Sequence, residues 1–407
     1  MTQRHPGSRG RGHGRRRGRV AAAAVASSCL VLGALAQAGS PAGAHSRPHH
    51  HHDAFQQVNL VSDIPGLAQK TEPALINPWG IAFSDTSPMW VNNQGALPGE
   101  PSKIQLYRGA NGVQEDIEKL ELEVDASSPT GMVFNDSEKF LIDQGQGPVP
   151  ARFIFNEVFF GDPGPTSRIT GWAGADPNPT VTTPASAPKT PAFHAGMALV
   201  PATALRGPRL LVANFKFPDG RIDVYNGTFQ EVTKRGQFVD RRAEEAGLAP
   251  YNVAYLDGLV YVAYSNPFVA DAVSVFTPEG TFLKRLVTDG PRGRLVGPWG
   301  MAIAPDHWGH FGGDLLVANV DDGRIHAFDR DDGDFEGTLR DARGAPLVNL
   351  GIWGIAFGNG TIGTPRTLLF VAGIGDEVGS FEGFYEHGLL GLIKPVRDRH
   401  GDDDEDD

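Results

Sequence analysis

The chain has 407 residues, with 52 Gly, 31 Pro, one Cys and a formal charge of −12 at pH 7. So many turn formers favour short strands over long helices, a single cysteine excludes an internal disulfide, and the acidic balance argues against binding nucleic acid or anionic membranes.

Residues 1–44 stand apart, with seven arginines, no acidic residue and the Ala-rich apolar run VAAAAVASSCLVLGALAQA. A basic start, a short apolar stretch and small-x-small sites at Ala36–Ala38 and Ala42–Ala44 predict a secretory signal peptide, and hence a secreted protein with no membrane insertion in its mature form. The run is short and rich in Ala, which suits an anchor poorly. Cys29 lies inside it, so the exported chain would carry no thiol chemistry. Losing seven positive charges from a formal −12 leaves −19. Residues 45–54 hold His49 to His52 and read as a disordered linker or a loose metal-binding tract. Residues 397–407, ending DDDEDD, read as a solvated acidic tail.

Between Phe55 and Val396 one phrase recurs six times: NPWGIAF around Gly80, SPTGMVF around Gly131, FHAGMAL around Gly196, APYNVAY with Asn252 in the place of glycine, GPWGMAI around Gly300 and GIWGIAF around Gly354. The anchors lie about 50 residues apart, the length of a four-stranded propeller blade. Each phrase is followed by a second apolar run (MWVNN, FLIDQ, LLVAN, VYVAYSN, LLVAN, LLFVAG) and a third (SKIQLY, ARFIF, GRIDVY, DAVSVF, GRIHAF, GLLGLI). Asn-Gly and Asp-Gly turns then lead into a fourth run in several passes, a strong hairpin signal. The sixth pass stops after its third run, and FQQVNLVSDIPG, Phe55 to Gly66, supplies the missing strand. The expectation is an all-β domain over 55–396, a six-bladed β-propeller of four-stranded blades, its ring closed by the N-terminal strand.

This pattern of xWGIA, LLVAN and GRIDVY resembles the NHL-type six-bladed propellers. The span from Phe55 to Val396 is similar throughout to an uncharacterised family of secreted bacterial propeller proteins, some of which carry a C-terminal sorting tail that this chain lacks. The resemblance implies the fold and no established activity.

In a four-stranded meander the start of the first strand and the end of the second share one face. That geometry predicts a ligand-binding rim of Trp79, His194, Tyr251, Trp299 and Trp353 at strand starts, joined by Asn93, Asp143, Asn214, Asn266, Asn319 and Asp376 at strand ends. Amide and carboxylate oxygens suit Ca²⁺, and a His suits Zn²⁺, so Asp143, His194, Asn214 and Asn319 are candidate ligands for a divalent metal. One reading is a monomeric binding or scaffold module that recognises a small molecule, a glycan or an extracellular protein. The other is a metal-dependent lactone hydrolase or lyase of propeller type. The structural alternatives are that Asn and Asp cap their own turns, and that each Trp packs between neighbouring blades. The sequence contains no Gly-x-Ser-x-Gly elbow, His-Glu-x-x-His pair, phosphate loop or dinucleotide fingerprint. The Pro-rich stretch Asp176–Pro191 predicts an extended loop, placed just before His194 where it could cover the channel.

Overall fold

The computed structural model describes residues 54–95, 101–145, 147–159, 165–174, 184–186, 192–204, 206–266, 268–289, 293–375 and 386–396. The expected signal peptide, the His tract, the acidic tail, Asp376 and nearly all of Asp176–Pro191 lie outside the described residues.

Six sheets form the six-bladed propeller that the repeat predicts. Blade 1 runs from the axis outward as Pro78–Ala82, Met89–Asn93, Pro101–Gly109 and Ile117–Ser127; blade 4 as Ala249–Leu256, Leu259–Asn266, Ala270–Phe276 and Phe282–Asp289; blade 5 as Pro298–Ile303, Leu315–Asn319, Ile325–Phe328 and Phe335–Thr338. In blade 6 the strands Ile352–Phe357, Leu368–Ile374 and His387–Pro395 are completed by Phe55–Ser62, which pairs antiparallel with His387–Pro395. The first strand of the domain thus covers an edge that would otherwise be open.

Blade 2 departs from the expected assignment. Its inner strand, Pro129–Phe134, pairs with Phe153–Phe159 and not with the run FLIDQ. The second and third strands are therefore Phe153–Phe159 and Thr166–Trp172, with Pro184–Ser186 outermost. FLIDQ belongs to an inserted hairpin, Leu141–Asp143 with Pro148–Pro150. Its apolar character has another cause: Phe140 and Ile142 are buried against Tyr225 and Phe229 of blade 3. Blade 3 has three strands, His194–Val200, Arg209–Asn214 and Arg221–Asn226. Beyond them comes a short helix, Arg241–Glu245, whose N-cap Asp240 accepts from the Arg242 and Ala243 N–H groups and pairs with Arg285 of blade 4 at 2.7 Å.

The recurring phrase has a local mechanism. Its first residue is left-handed in four blades: Asn77 (φ 46°), Ser128 (φ 43°), Gly297 (φ 65°) and Gly351 (φ 72°). Gly and Asn adopt that turn most readily. In all six first strands the ladder to the second strand then slips. Such a β-bulge re-aims the extra residue away from the ladder. The glycine that follows is fixed by the neighbouring blade. A Cβ on Gly80 would lie 2.5 Å from the Thr130 carbonyl oxygen, on Gly131 2.8 Å from the Met197 nitrogen, on Gly300 2.3 Å from the Trp353 oxygen and on Gly354 2.8 Å from the Trp79 oxygen. In blade 4 Asn252 replaces the glycine and bonds across the same gap, donating Nδ2 to the Trp299 carbonyl at 2.6 Å.

Candidate ligand site in the central channel

The three rim tryptophans come together. Trp79 stacks on Trp353 at 3.7 Å between ring centroids, and Trp299 meets Trp79 and Trp353 edge-on at 6.3 and 5.9 Å. Tyr251, half-buried, meets Trp353 edge-on at 6.0 Å and lies 4.3 Å from Phe215. Offset and edge-to-face contacts of this kind stabilise aromatic clusters beyond area burial. The indoles of Trp79, Trp299 and Trp353 are 5, 5 and 1% exposed. They therefore neither line an open rim nor simply fill a seam between blades: they pack on one another at the axis and close it. The Trp79 Nε1 is satisfied by Asn77 Oδ1 at 3.0 Å, and Asn77 in turn donates to Gln94 at 2.8 Å.

Beyond this plug the channel widens into a cavity of about 410 Å³. Trp299 lies in its wall, and the rest comes from the later residues of the inner strands, including Ile81, Met132, Met197, Val253, Met301 and Ile355. Phe83, Phe134, Leu199 and Tyr255, all half-buried, and the exposed Asp136 and Pro201 also line it, so the mouth opens at the end of the channel away from the tryptophans. Apolar side chains alternate here with the backbone edges of strands that are paired on one side only. Their free N–H and C=O groups supply polarity that the side chains do not. This volume and this mixture suit a small, mostly apolar ligand with a few hydrogen-bonding atoms. None of Phe83, Phe134 and Tyr255 was placed on the predicted rim, because each is the last residue of its recurrent phrase and the rim was drawn at the start of that phrase.

The polar rim residues are distributed among separate seams. His194 and Asn214 are opposite one another in blade 3 and share Asp223, which lies 3.2 Å from His194 Nε2 and accepts from Asn214 Nδ2 at 2.9 Å and from Arg221. Burial acts to raise the Asp223 carboxyl, but His194 and Arg221 outweigh it and hold the group below its ordinary 3.8. Asn93 is buried and donates to Gln105 Oε1 at 2.9 Å. Asn319, fully buried, donates to the Arg294 carbonyl at 2.6 Å. Asn266 closes a turn, donating to Gly247 and accepting from Phe268 N–H. Asp143 is exposed in the inserted hairpin and accepts from the Gly145 and Gly147 N–H groups.

The four expected metal ligands are thus not assembled: only His194 and Asn214 meet, Asp143 leaves the rim with the hairpin, and Asn319 belongs to blade 5. Among the described residues no group of three or more His, Cys, Asp or Glu side chains is placed to hold a metal. With blade 2 reassigned, the residue opposite Pro129 is Glu157. It is 1% exposed, accepts from the Ser127 N–H at 2.8 Å and pairs with Arg168 at 2.5 Å. Burial pushes its carboxyl above the ordinary range, with Arg168 pulling against it. Glu157 and Asp223 are buried carboxyl anchors that the rim reading missed. For Asp223 a signal existed, since a charge between Ile222 and Val224 in GRIDVY must be paired if buried.

No family model matches the chain. Two uncharacterized proteins of Acanthamoeba polyphaga mimivirus are each 28% identical to it: R648 over 317 residues, covering 73% of this chain and 72% of the relative, and L690 over 330 residues, covering 74% and 79%. The resemblance to a bacterial NHL-type family therefore narrows to the propeller fold, since the relatives found are viral. Among solved structures, the α-L-arabinofuranosidase Arb93A of Fusarium graminearum, in complex with an iminosugar inhibitor, has a TM-score of 0.51 at 10% identity over 84% of this chain and 98% of that one. A PQQ-bound aldose sugar dehydrogenase from Streptomyces coelicolor has a TM-score of 0.48 at 12% identity, over 85% and 99%. At these identities the likeness is one of fold.

Proposed function

We propose that the protein is a secreted, monomeric binding module that holds one small, predominantly apolar molecule in the axial cavity. The observation that carries this reading is an axial cavity with Trp299 in its wall, Trp79 and Trp353 packed against that indole, and half-buried and exposed residues around its mouth, of a volume that small ligands fill. The rim then has a structural part, in which Asn93, Asn214 and Asn319 tie strand ends and Trp79 and Trp353 pack against Trp299, which reaches the cavity wall. Export by the expected signal peptide would place the open mouth in an extracellular medium, where an acidic surface keeps the chain soluble.

The test is a titration with an apolar fluorescent naphthylamine, read by probe emission and by the response of the tryptophan floor. One saturable site per chain is expected. Ala356→Trp, which fills the cavity wall, should abolish it while the melting transition stays cooperative. Val133→Asp, which places a charge in the same wall, should weaken it. Probe binding that survives both substitutions in folded protein overturns the reading.

A further inference from the structure

The residue that follows the glycine position of each recurrent phrase lies in the wall of the axial cavity: Ile81, Met132, Met197, Val253, Met301 and Ile355. Of the five methionines in the chain, Met132, Met197 and Met301 stand at this position. Thioethers are polarisable, and unbranched side chains re-pack around ligands of different outline. The wall is thus soft and apolar, and its one amide side chain, Asn252, already donates Nδ2 to the Trp299 carbonyl at 2.6 Å.

Charge enters this wall at a single side chain. Among the described residues that line the cavity there is no Lys, Arg or His, and the one acidic residue is Asp136, exposed at the mouth. Its turn does not need it. The cap is supplied by the buried Asn135, whose Oδ1 accepts from the Ser137 N–H at 3.1 Å and whose Nδ2 donates to the Ala151 carbonyl at 2.7 Å. The bases of the same connection are engaged elsewhere: Arg152 lies 4.0 Å from Glu138, and the Lys139 stem packs along Gly227 of blade 3, its Cβ 2.9 Å from where a Cβ on that glycine would lie. Around Asp136 the mouth is aromatic, with Phe83, Phe134 and Tyr255 all half-buried. Phe134 packs on Phe153 at 5.4 Å between ring centroids, and Phe153 stacks on Trp90 at 4.0 Å, so this part of the mouth is braced by an aromatic row.

We infer that the ligand is a lipophilic organic cation, a tertiary or quaternary ammonium whose charge stands at the mouth beside Asp136, Phe83, Phe134 and Tyr255, with its apolar part in the methionine-rich wall. This assignment rests on the cavity being a ligand site and adds the charge of what it holds. Aromatic faces attract a cation through the ring quadrupole, the more so where water is partly excluded. A carboxylate without a basic partner acts in the same sense and repels an anion of similar shape, which makes the mouth selective by charge. A quaternary ammonium asks for no hydrogen-bond acceptor, in keeping with a wall so poor in polar side chains. The formal charge of −12 draws cations towards the chain as a whole.

The experiment displaces the naphthylamine probe from the full chain with three competitors: phenyltrimethylammonium, its neutral isostere tert-butylbenzene, and the anion 4-tert-butylbenzoate. The cation should displace the probe completely and bind at least about tenfold more tightly than the anion. Asp136→Lys, a change at an exposed position, should weaken the cation by about tenfold, strengthen the anion and leave tert-butylbenzene unchanged. Phe134→Leu keeps apolar volume and removes one ring, and should weaken the cation by about threefold and the neutral isostere less. Equal affinity for cation and anion in the parent, or a cation-to-anion ratio that Asp136→Lys does not move, overturns the inference while probe binding leaves the cavity a ligand site. A probe that does not bind the parent removes the ligand site and this assignment with it.

Discussion

At one end of the central channel the inner strands present Trp79, Trp299, Trp353 and Tyr251 in mutual contact; at the other, the same strands present Phe83, Phe134, Leu199 and Tyr255 around an opening. Both ends are aromatic, so composition does not separate them. What separates them is the bulge: it lies near the start of every first strand, turning one residue per blade towards the axis, and the regular ladder beyond it sends side chains alternately to the neighbouring blades. The closed end is therefore a packing problem shared by blades 1, 4, 5 and 6, and the open end tolerates empty space.

That contrast can be broken most severely at the glycines of the closed end. Gly300→Val should cost at least about 3 kcal/mol, because its Cβ would stand 2.3 Å from the Trp353 carbonyl oxygen and the two inner strands would have to separate. Chemical denaturation of a variant that still folds measures this, and a cost under about 1 kcal/mol would refute close strand approach as the reason for the glycine. Next in size is the floor itself. Trp353→Ala should cost about 3 to 5 kcal/mol, whereas Leu199→Ala at the mouth, half-buried, should cost about 1 kcal/mol and act mainly on ligand affinity. Equal losses at both positions would erase the distinction between the two ends.

The smallest effect separates rim electrostatics from rim packing. Asp223 is held below 3.8 in the folded state, so its stabilising contribution is complete above that pH and is lost as pH falls through the lower folded value. Asp223→Asn should lower stability at pH 7 by about 2 kcal/mol. The variant should also lose less stability than the parent between pH 4 and pH 3, because it has no carboxylate to protonate there. Parallel acid profiles for the two proteins would remove Asp223 from the account.

The amino-acid sequence by itself determined the ring: six recurrences of one phrase, the runs that follow each, and a sixth unit short of a strand that Phe55–Ser62 replaces. These features are legible because strand alternation and turn chemistry are local, and repetition multiplies a weak signal. The second strand of blade 2 was not legible, because FLIDQ is apolar for a different reason, the covering of Tyr225 and Phe229 by Phe140 and Ile142. Only the tertiary structure decided where the tryptophans point and which polar rim residues share a seam. A bulge shows itself as a slip between two strands, and a seam joins residues such as Asn252 and Trp299 from different blades. Both depend on which backbone lies alongside which, and no stretch of a single strand contains that information.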